Sequence, residues 1–181
     1  MFLVVVLVNQ FLSSINFLPY NVYMKSLIIY FSYHHHNTEK IANVFAKVLN
    51  AKMITPLQVD LSKIINYDLV GFGSGIDSDK HYKVLLNLVD KLPEVKNKKA
   101  FIFSTSGIPF AEKSYMPKCH KTLKNKLIAK GYEIVDEFIC RGFNTNVFLK
   151  YIGGINKGHP NASDLARAES FAKKLLTIIK S

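Results

Sequence analysis

From Ser26 onward, short apolar runs alternate with stretches whose apolar residues recur at helical spacing. SLIIYF at Ser26–Phe31 is typical of a buried strand, whereas 38–49 carries Ile41, Phe45 and Leu49 on one helical face. The pattern predicts strands at Ser26–Phe31, 52–55, 69–73, 100–104 and 134–140. It predicts helices at 38–49, 60–66, 81–92, 122–130 and Ala162–Lys180.

Five strands separated by helices predict an α/β domain with a parallel sheet covered on both faces. The chain of 181 residues has the length of one such domain, with room for an extension. In open parallel sheets, ligands bind beyond the carboxyl ends of the strands, where the strand order reverses. The segments after the first, third and fourth strands are therefore the candidate site.

The first 24 residues contain no charged side chain, and Lys25 is the first charge. They lack the positive n-region of a signal peptide, and only 2–8 is a continuous apolar run, shorter than the about 20 residues of a spanning helix. We expect residues 1–24 to be an extension outside the fold and 25–181 to be one cytoplasmic domain. A membrane anchor formed by 1–24, or a segment packed on the domain, are the alternatives.

Segment 32–38 (SYHHHNT) leads directly from the first strand into a helix. Hydroxyls, an amide and free N–H groups at a helix N-terminus favour an anion such as a phosphate monoester. The alternative is that Asn37 and Thr38 only cap the helix. Glycines in 71–76 would let the backbone approach a flat ligand or would simply form a tight turn. The small polar residues of 104–107 could hydrogen-bond the polar edge of a ring.

Several other classes are excluded by residues that the sequence lacks. The strand ends carry no acidic residues for a phosphoacceptor site, no cysteine for a phosphatase loop and no GxxxxGK[ST] motif. Cys119 and Cys140 have neither CxxC nor zinc spacing. Three adjacent histidines in one loop do not predict a metal site without further ligands, and no fold or stacking platform for nucleic acid is recognisable.

Four segments of the chain resemble the flavodoxin family, over about residues 25–178. They are KSLIIYFSYHHHNTEKIA (25–42), YDLVGFGSGI (67–76), KKAFIFSTSG (98–107) and CRGFNTNVFLKYIGGINKGHPN (140–161). The resemblance is to short-chain members, whose fifth strand is not split by an insertion. It implies a three-layer flavodoxin-like sandwich, a five-stranded parallel sheet in the order 2-1-3-4-5, and non-covalent FMN.

The resemblance also implies the cofactor-binding residues, segment by segment. The FMN phosphate would be held by Ser32, His34, His35, His36, Asn37 and Thr38. One side of the isoalloxazine would be lined by Ser74, Gly75, Ile76 and Asp77, and the other by Thr105, Ser106 and Gly107. No catalytic residue or metal ligand is implied.

Two positions depart from the family pattern. His36 stands where the family usually has glycine, and a positive φ there is adopted by histidine only at a cost. Asp77 and Ser78 stand where an aromatic residue and glycine are frequent near the isoalloxazine. A missing aromatic removes about 1 kcal/mol of contact, unless Tyr82, Tyr115 or Phe110 substitutes for it.

The formal net charge of +11 is unusual for an electron carrier of this family. Residues 113–130 carry six lysines and no acid, which is either a solvated helix face or a docking surface for an acidic redox partner. We expect an electron-transfer protein that cycles flavin between quinone, semiquinone and hydroquinone. An FMN-dependent NAD(P)H or quinone oxidoreductase, or a degenerate module that does not bind FMN, are the alternatives.

Overall fold

A computed structural model describes the backbone of residues 24–108 and 114–180, and the side chains of these residues except 147 and 180. Residues 1–23 of the expected extension lie outside the described residues. Met24 is described, and its side chain packs against the hydrophobic core. Within 24–108 and 114–180, no helix is long and apolar enough to cross a membrane.

Five parallel strands form the sheet, and a short sixth strand is added to it. The strands are β1 (Ser26–Phe31), β2 (Lys52–Ile54), β3 (Leu69–Asp77), β4 (Lys80–His81), β5 (Lys98–Ser106) and β6 (Tyr132–Arg141). The parallel strands follow the order β2-β1-β3-β5-β6, and β4 pairs antiparallel with the end of β3. The expected order 2-1-3-4-5 is confirmed for the five parallel strands, and β4 is an addition to it.

In the described residues, α1 (Asn37–Leu49), α2 (Lys83–Lys91) and α3 (Met116–Ala129) connect strands, and α4 (Ala162–Lys180) follows β6. Short 3₁₀ helices lie at Pro56–Gln58, Ile64–Asn66 and Val147–Ile152. The prediction of a helix over 60–66 was wrong for its first half. The Asp60 carboxylate accepts the backbone N–H of Ser62 at 3.1 Å and its hydroxyl at 2.6 Å, and this local turn replaces helical bonding.

Two hydrophobic cores lie on opposite faces of the sheet, as the strand pattern predicts. In β1, Leu27 and Ile29 point to the face covered by α2 and α3, whereas Ile28 points to the face covered by α1 and α4. This alternation follows from the period of two along a strand. Because both faces are covered, the sheet meets solvent mainly at its edges and its strand ends.

The α1 face of β3 is covered by rings from its neighbour β5. Gly71 lies opposite Phe101 and Gly73 opposite Phe103. A Cβ atom on Gly73 would lie 2.3 Å from ring atoms of Phe103, so only glycine permits this packing. Phe45 of α1 meets these two rings edge-on, with centroids 5.4 and 5.1 Å away, a favourable aromatic geometry.

Candidate functional site

A cleft opens at the carboxyl ends of β1, β3, β5 and β6, where the strand order reverses. Its empty space is about 380 Å³, a volume that includes the open mouth. The lining residues are Tyr33, His34, Asn37, Thr38, Gly75, Ile76, Tyr82, Thr105, Ser106, Gly107, Gly142, Phe143, Asn144 and Asn146.

The loop between β1 and α1 makes a tight turn beside this cleft, which His34, Asn37 and Thr38 line. His35 and His36 both adopt left-handed backbone conformations, with φ of 51° and 54°. The N–H of Asn37 bonds back to the carbonyl of His34 at 3.2 Å, which closes the turn. The next N–H groups begin α1 and have no acceptor within the helix. Consecutive N–H groups in such a turn form an anion-binding concavity, and the helix dipole adds to it.

Asn37 links this loop to the far wall of the cleft. Its side chain is 6% exposed, and its Nδ2 donates to the carbonyl of Phe143 at 2.8 Å. Gly142 allows this approach, since a Cβ there would lie 2.9 Å from Nδ2. The Oδ1 atom of Asn37 is buried without a hydrogen-bond partner among the described residues.

A buried hydroxyl pair joins the first turn of α1 to the end of β5. Thr38 Oγ1 lies 2.9 Å from Thr105 Oγ1, and both side chains are buried. The Ser32 hydroxyl, which the resemblance also assigns to the phosphate loop, is buried without a partner among the described residues. Ser32 does not line the cleft.

The three adjacent histidines point to different places. His34 lines the cleft; burial lowers its pKa and His35 lowers it further, whereas Asp77 acts in the opposite direction. The Nε2 atom of His35 lies 2.7 Å from the Thr145 hydroxyl. The His36 side chain is 79% exposed, and its Nδ1 atom lies 2.6 Å from the Glu39 carboxylate. In the described ranges, no three His, Cys, Asp or Glu side chains form a group that could hold a metal ion.

A β-hairpin forms the wall of the cleft that follows β3. Ser78 and Asp79, with φ of 49° and 61°, are the two turn residues between β3 and β4, the geometry of a tight I′-type hairpin. The Asp79 carboxylate accepts the Tyr115 hydroxyl and pairs with Lys118, each at 2.5 Å. Asp77 is exposed at the end of β3 and does not line the cleft.

The hairpin places an aromatic ring in the cleft. Tyr82 follows β4, lines the cleft and meets Phe31 edge-on, with centroids 5.2 Å apart. Tyr33 lines the opposite part of the mouth, 6.2 Å from Tyr82 between centroids, and is 70% exposed. Of the three aromatics considered as substitutes, Tyr82 is the one placed here; Tyr115 bonds to Asp79, and Phe110 lies outside the described residues.

Ser74 fixes the floor of the cleft from below. Its hydroxyl contacts the carbonyl of Gly75 at 2.8 Å, the N–H of Tyr82 at 3.1 Å and Nδ1 of His81 at 2.9 Å. Ser74 is fully buried and does not itself line the cleft. It therefore positions two lining residues, Gly75 and Tyr82, instead of presenting a group to a ligand.

Two buried imidazoles lie behind this floor. The rings of His81 and His120 are 5.0 Å apart. His120 contacts the Ser104 hydroxyl at 2.7 Å and Glu137 at 3.0 Å, and Lys124 completes the chain by pairing with Glu137. Burial holds the pKa of His81 well below its ordinary value and also lowers that of His120, whose partner Glu137 opposes the shift only in part.

The structure brings eight of the thirteen predicted site residues together in the cleft: His34, Asn37, Thr38, Gly75, Ile76, Thr105, Ser106 and Gly107. The other five lie behind or beside it. Of the other lining residues, Tyr82 was considered only as a substitute for the missing aromatic, and five were not predicted: Tyr33, Gly142, Phe143, Asn144 and Asn146. The last four follow β6, and the strand-end rule would have found them had it been applied to the fifth predicted strand as well.

The lysines of α3 are partly neutralised within the chain. Lys118, Lys124 and Lys126 pair with Asp79, Glu137 and Asp90, respectively. Lys121 is exposed and forms no ion pair among the described residues. The positive field of this helix is therefore weaker than its sequence suggests.

These features define an open α/β domain with a cleft at the strand ends and a left-handed turn before its first helix. A family model described as a flavodoxin domain matches residues 27–152, and the chain belongs to that family. An uncharacterised protein of Methanocaldococcus jannaschii is 49% identical over 153 residues, which are 84% of this chain and 99% of that one.

Solved structures show the same fold. A flavodoxin from the domain Archaea has a TM-score of 0.59 at 14% identity, covering 87% of this chain and 100% of that chain. Flavodoxin 2 from Bacillus cereus has a TM-score of 0.61 at 18% identity, covering 82% and 94%. At such identities the likeness concerns the fold.

Proposed function

We propose that the chain binds FMN non-covalently in the strand-end cleft and acts as an electron carrier. The observation that carries this proposal is the left-handed turn at His35 and His36, which leads into α1 beside a cleft lined by Asn37, Thr38 and Tyr82. Family membership supports a flavin as the ligand. The proposed electron transfer requires neither a nucleophile nor a metal.

The residues present fit the parts of FMN. The turn and the first N–H groups of α1 would hold the phosphate. The buried Oδ1 of Asn37, which has no partner among the described residues, would accept a hydroxyl of the sugar-alcohol chain. The ring of Tyr82 and the backbone of Gly75 and Gly107 would border the flat ring system.

When bound, FMN supplies the one- and two-electron redox chemistry, and the protein supplies binding, orientation and electrostatics. Ser74 holds the Gly75 carbonyl and the Tyr82 N–H in place through its hydroxyl. Behind it, burial keeps His81 and His120 neutral near pH 7, because both pKa values are lowered. The chain therefore places two neutral imidazoles behind this part of the cleft.

The test is a titration of the purified protein with FMN and with riboflavin, followed by absorbance and flavin fluorescence. We expect saturable binding of FMN and binding of riboflavin at least tenfold weaker, because riboflavin lacks the phosphate. Asn37→Asp should weaken FMN binding at least tenfold more than riboflavin binding, because the added charge repels the phosphate, whereas loss of the donor to the Phe143 carbonyl affects both ligands. Asn43→Asp, exposed on the same helix, is the matched control and should leave FMN binding unchanged.

Two results would contradict the proposal. A protein that stays colourless with excess FMN would be a module that does not bind it. Steady consumption of added NADPH by the FMN-loaded protein, with no separate reductase, would identify an oxidoreductase instead of a carrier.

A further inference from the structure

A loop beside the cleft begins and ends at the cleft wall that follows β6. Asn144 and Ile155 exchange backbone hydrogen bonds at 3.0 and 2.9 Å, which closes the intervening residues into a unit. We call residues 145–154 the aromatic loop. Gly154 packs against the cleft-lining Phe143, where a Cβ would lie 2.6 Å from the ring. The aromatic loop is therefore fixed to the cleft wall at both ends.

The outer side of the aromatic loop exposes apolar side chains that the fold does not use. Phe148, Tyr151 and Ile152 are 65%, 79% and 68% exposed. In the described ranges there are eight exposed large apolar residues, and three of them lie in the aromatic loop; of the others, Tyr33 lines the cleft and Ile108 follows the lining residue Gly107. A concentration of exposed apolar groups at one place marks an interaction site.

The charged residues in the segment around these three side chains are all basic. Residues 138–163 contain Arg141, Lys150 and Lys157 and no aspartate or glutamate. Lys150 lies over the Tyr151 ring, 4.8 Å from its centroid. Lys150 and Lys157 are exposed and form no ion pair among the described residues, in contrast to the paired Lys124 and Lys126 of α3.

We propose that the aromatic loop is the docking surface for an acidic redox protein. This inference rests on the proposed function, because a carrier must bring its cofactor site against that of its partner. Free lysines around an apolar centre complement an acidic partner, and electron-transfer encounters need only a small contact area. A second copy of the chain fits poorly, because its Lys150 and Lys157 would meet the same lysines.

The test measures reduction of the FMN-loaded protein by a reduced, acidic [2Fe–2S] ferredoxin in a stopped-flow instrument. Two double variants probe the surface: Phe148→Ser with Tyr151→Ser, and Lys150→Glu with Lys157→Glu. Each should lower the second-order rate constant at low salt about tenfold. Added salt should abolish the effect of the charge reversals but not that of the serine substitutions.

The matched controls are substitutions of the same chemical type at exposed residues elsewhere on the surface. Leu57→Ser removes an apolar side chain that is 88% exposed, and Lys121→Glu reverses an unpaired lysine of α3; both should stay within twofold of the wild-type rate. Reduction by dithionite, which needs no docking, should be the same in every variant. A larger effect of Lys121→Glu than of the Lys150 and Lys157 reversals would place docking on α3 and overturn the inference.

The remaining outcomes separate this inference from the proposed function. If FMN does not bind, ferredoxin is titrated into the flavin-free protein and binding is followed by calorimetry; loss in the two double variants alone would still support the docking surface. Sedimentation of the wild type, but not of Phe148→Ser with Tyr151→Ser, with phosphatidylglycerol vesicles, at unchanged ferredoxin rates, would assign the loop to a membrane. A dimer broken by the same variant would assign it to self-association.

Discussion

Lowering the pH should destabilise the fold through the buried imidazole of His81. Its pKa in the folded chain lies well below the ordinary 6.5, because burial disfavours the charged ring. The unfolded chain therefore takes up a proton first as the pH falls. The stability that results from neutral His81 is fully present above pH 6.5 and is lost as the pH falls below it.

The size of the effect follows from the linkage between protonation and folding. At one pH unit below the unfolded pKa, a histidine that stays neutral in the fold costs about 1.4 kcal/mol. Between about pH 7.5 and about pH 5.5, His81 alone should therefore lower the free energy of unfolding by about that amount, or about 3–6 °C in Tm for a chain of this size. His120, whose pKa is also lowered, adds to the loss with the same sign.

Urea unfolding at both pH values, followed by far-UV circular dichroism, measures this loss. His81→Phe keeps a ring of similar size and should reduce the difference between the two pH values by about 1.4 kcal/mol. The substitution removes the hydrogen bond between His81 and Ser74. It also removes the buried Nε2 atom of His81, which has no partner among the described residues. Leu57→Ser, at an exposed position, removes no titratable group; it is the control and should leave the difference unchanged. An equal loss in wild type and His81→Phe would refute the reasoning.

The packing and the cleft offer three further tests. Gly73→Ala forces a Cβ into the Phe103 ring, 2.3 Å away, and should cost about 1–3 kcal/mol in chemical unfolding; wild-type stability would show that the ring moves aside freely. Tyr82→Leu should weaken FMN binding about twofold to tenfold in a fluorescence titration, and an unchanged Kd would remove this ring from the flavin site. Thr38→Val leaves the buried Thr105 hydroxyl without its partner and should cost about 1–3 kcal/mol. Adding Thr105→Val should recover part of that loss, and strict additivity in the double-mutant cycle would mean that the two hydroxyls do not interact.

The centre of each parallel strand was predictable, whereas its ends were not. The apolar run of β3 predicts an end at Gly73, but the strand continues to Asp77, because β5 pairs with it through Gly75 and β4 folds back to pair with Ile76 and Asp77. Such pairing depends on contacts that no single segment encodes. The helix predicted at 122–130 begins at Met116, with Pro117 in its first turn, a position that proline favours.

The backbone part of the cleft was more predictable than its aromatic part. The phosphate loop has a local signal, since polar residues lead directly from a strand into a helix, and His36 adopts the positive φ expected in place of glycine. Tyr82 has no such signal, because the hairpin at Ser78 and Asp79 carries it back to the cleft. A family resemblance identifies the motifs that the chain shares with the family. It does not show which other element of the fold supplies a side chain that a motif lacks.

The rings that cover the glycines of β3 also bear on how related chains can diverge. Gly71 faces Phe101 and Gly73 faces Phe103 across two neighbouring strands, and each pair fills one space between them. A larger residue on β3 therefore requires a smaller one on β5 in the same step. Across descendants of a common ancestor, these positions should change in pairs, so that covariation between them would record the strand pairing of β3 and β5 without any structure.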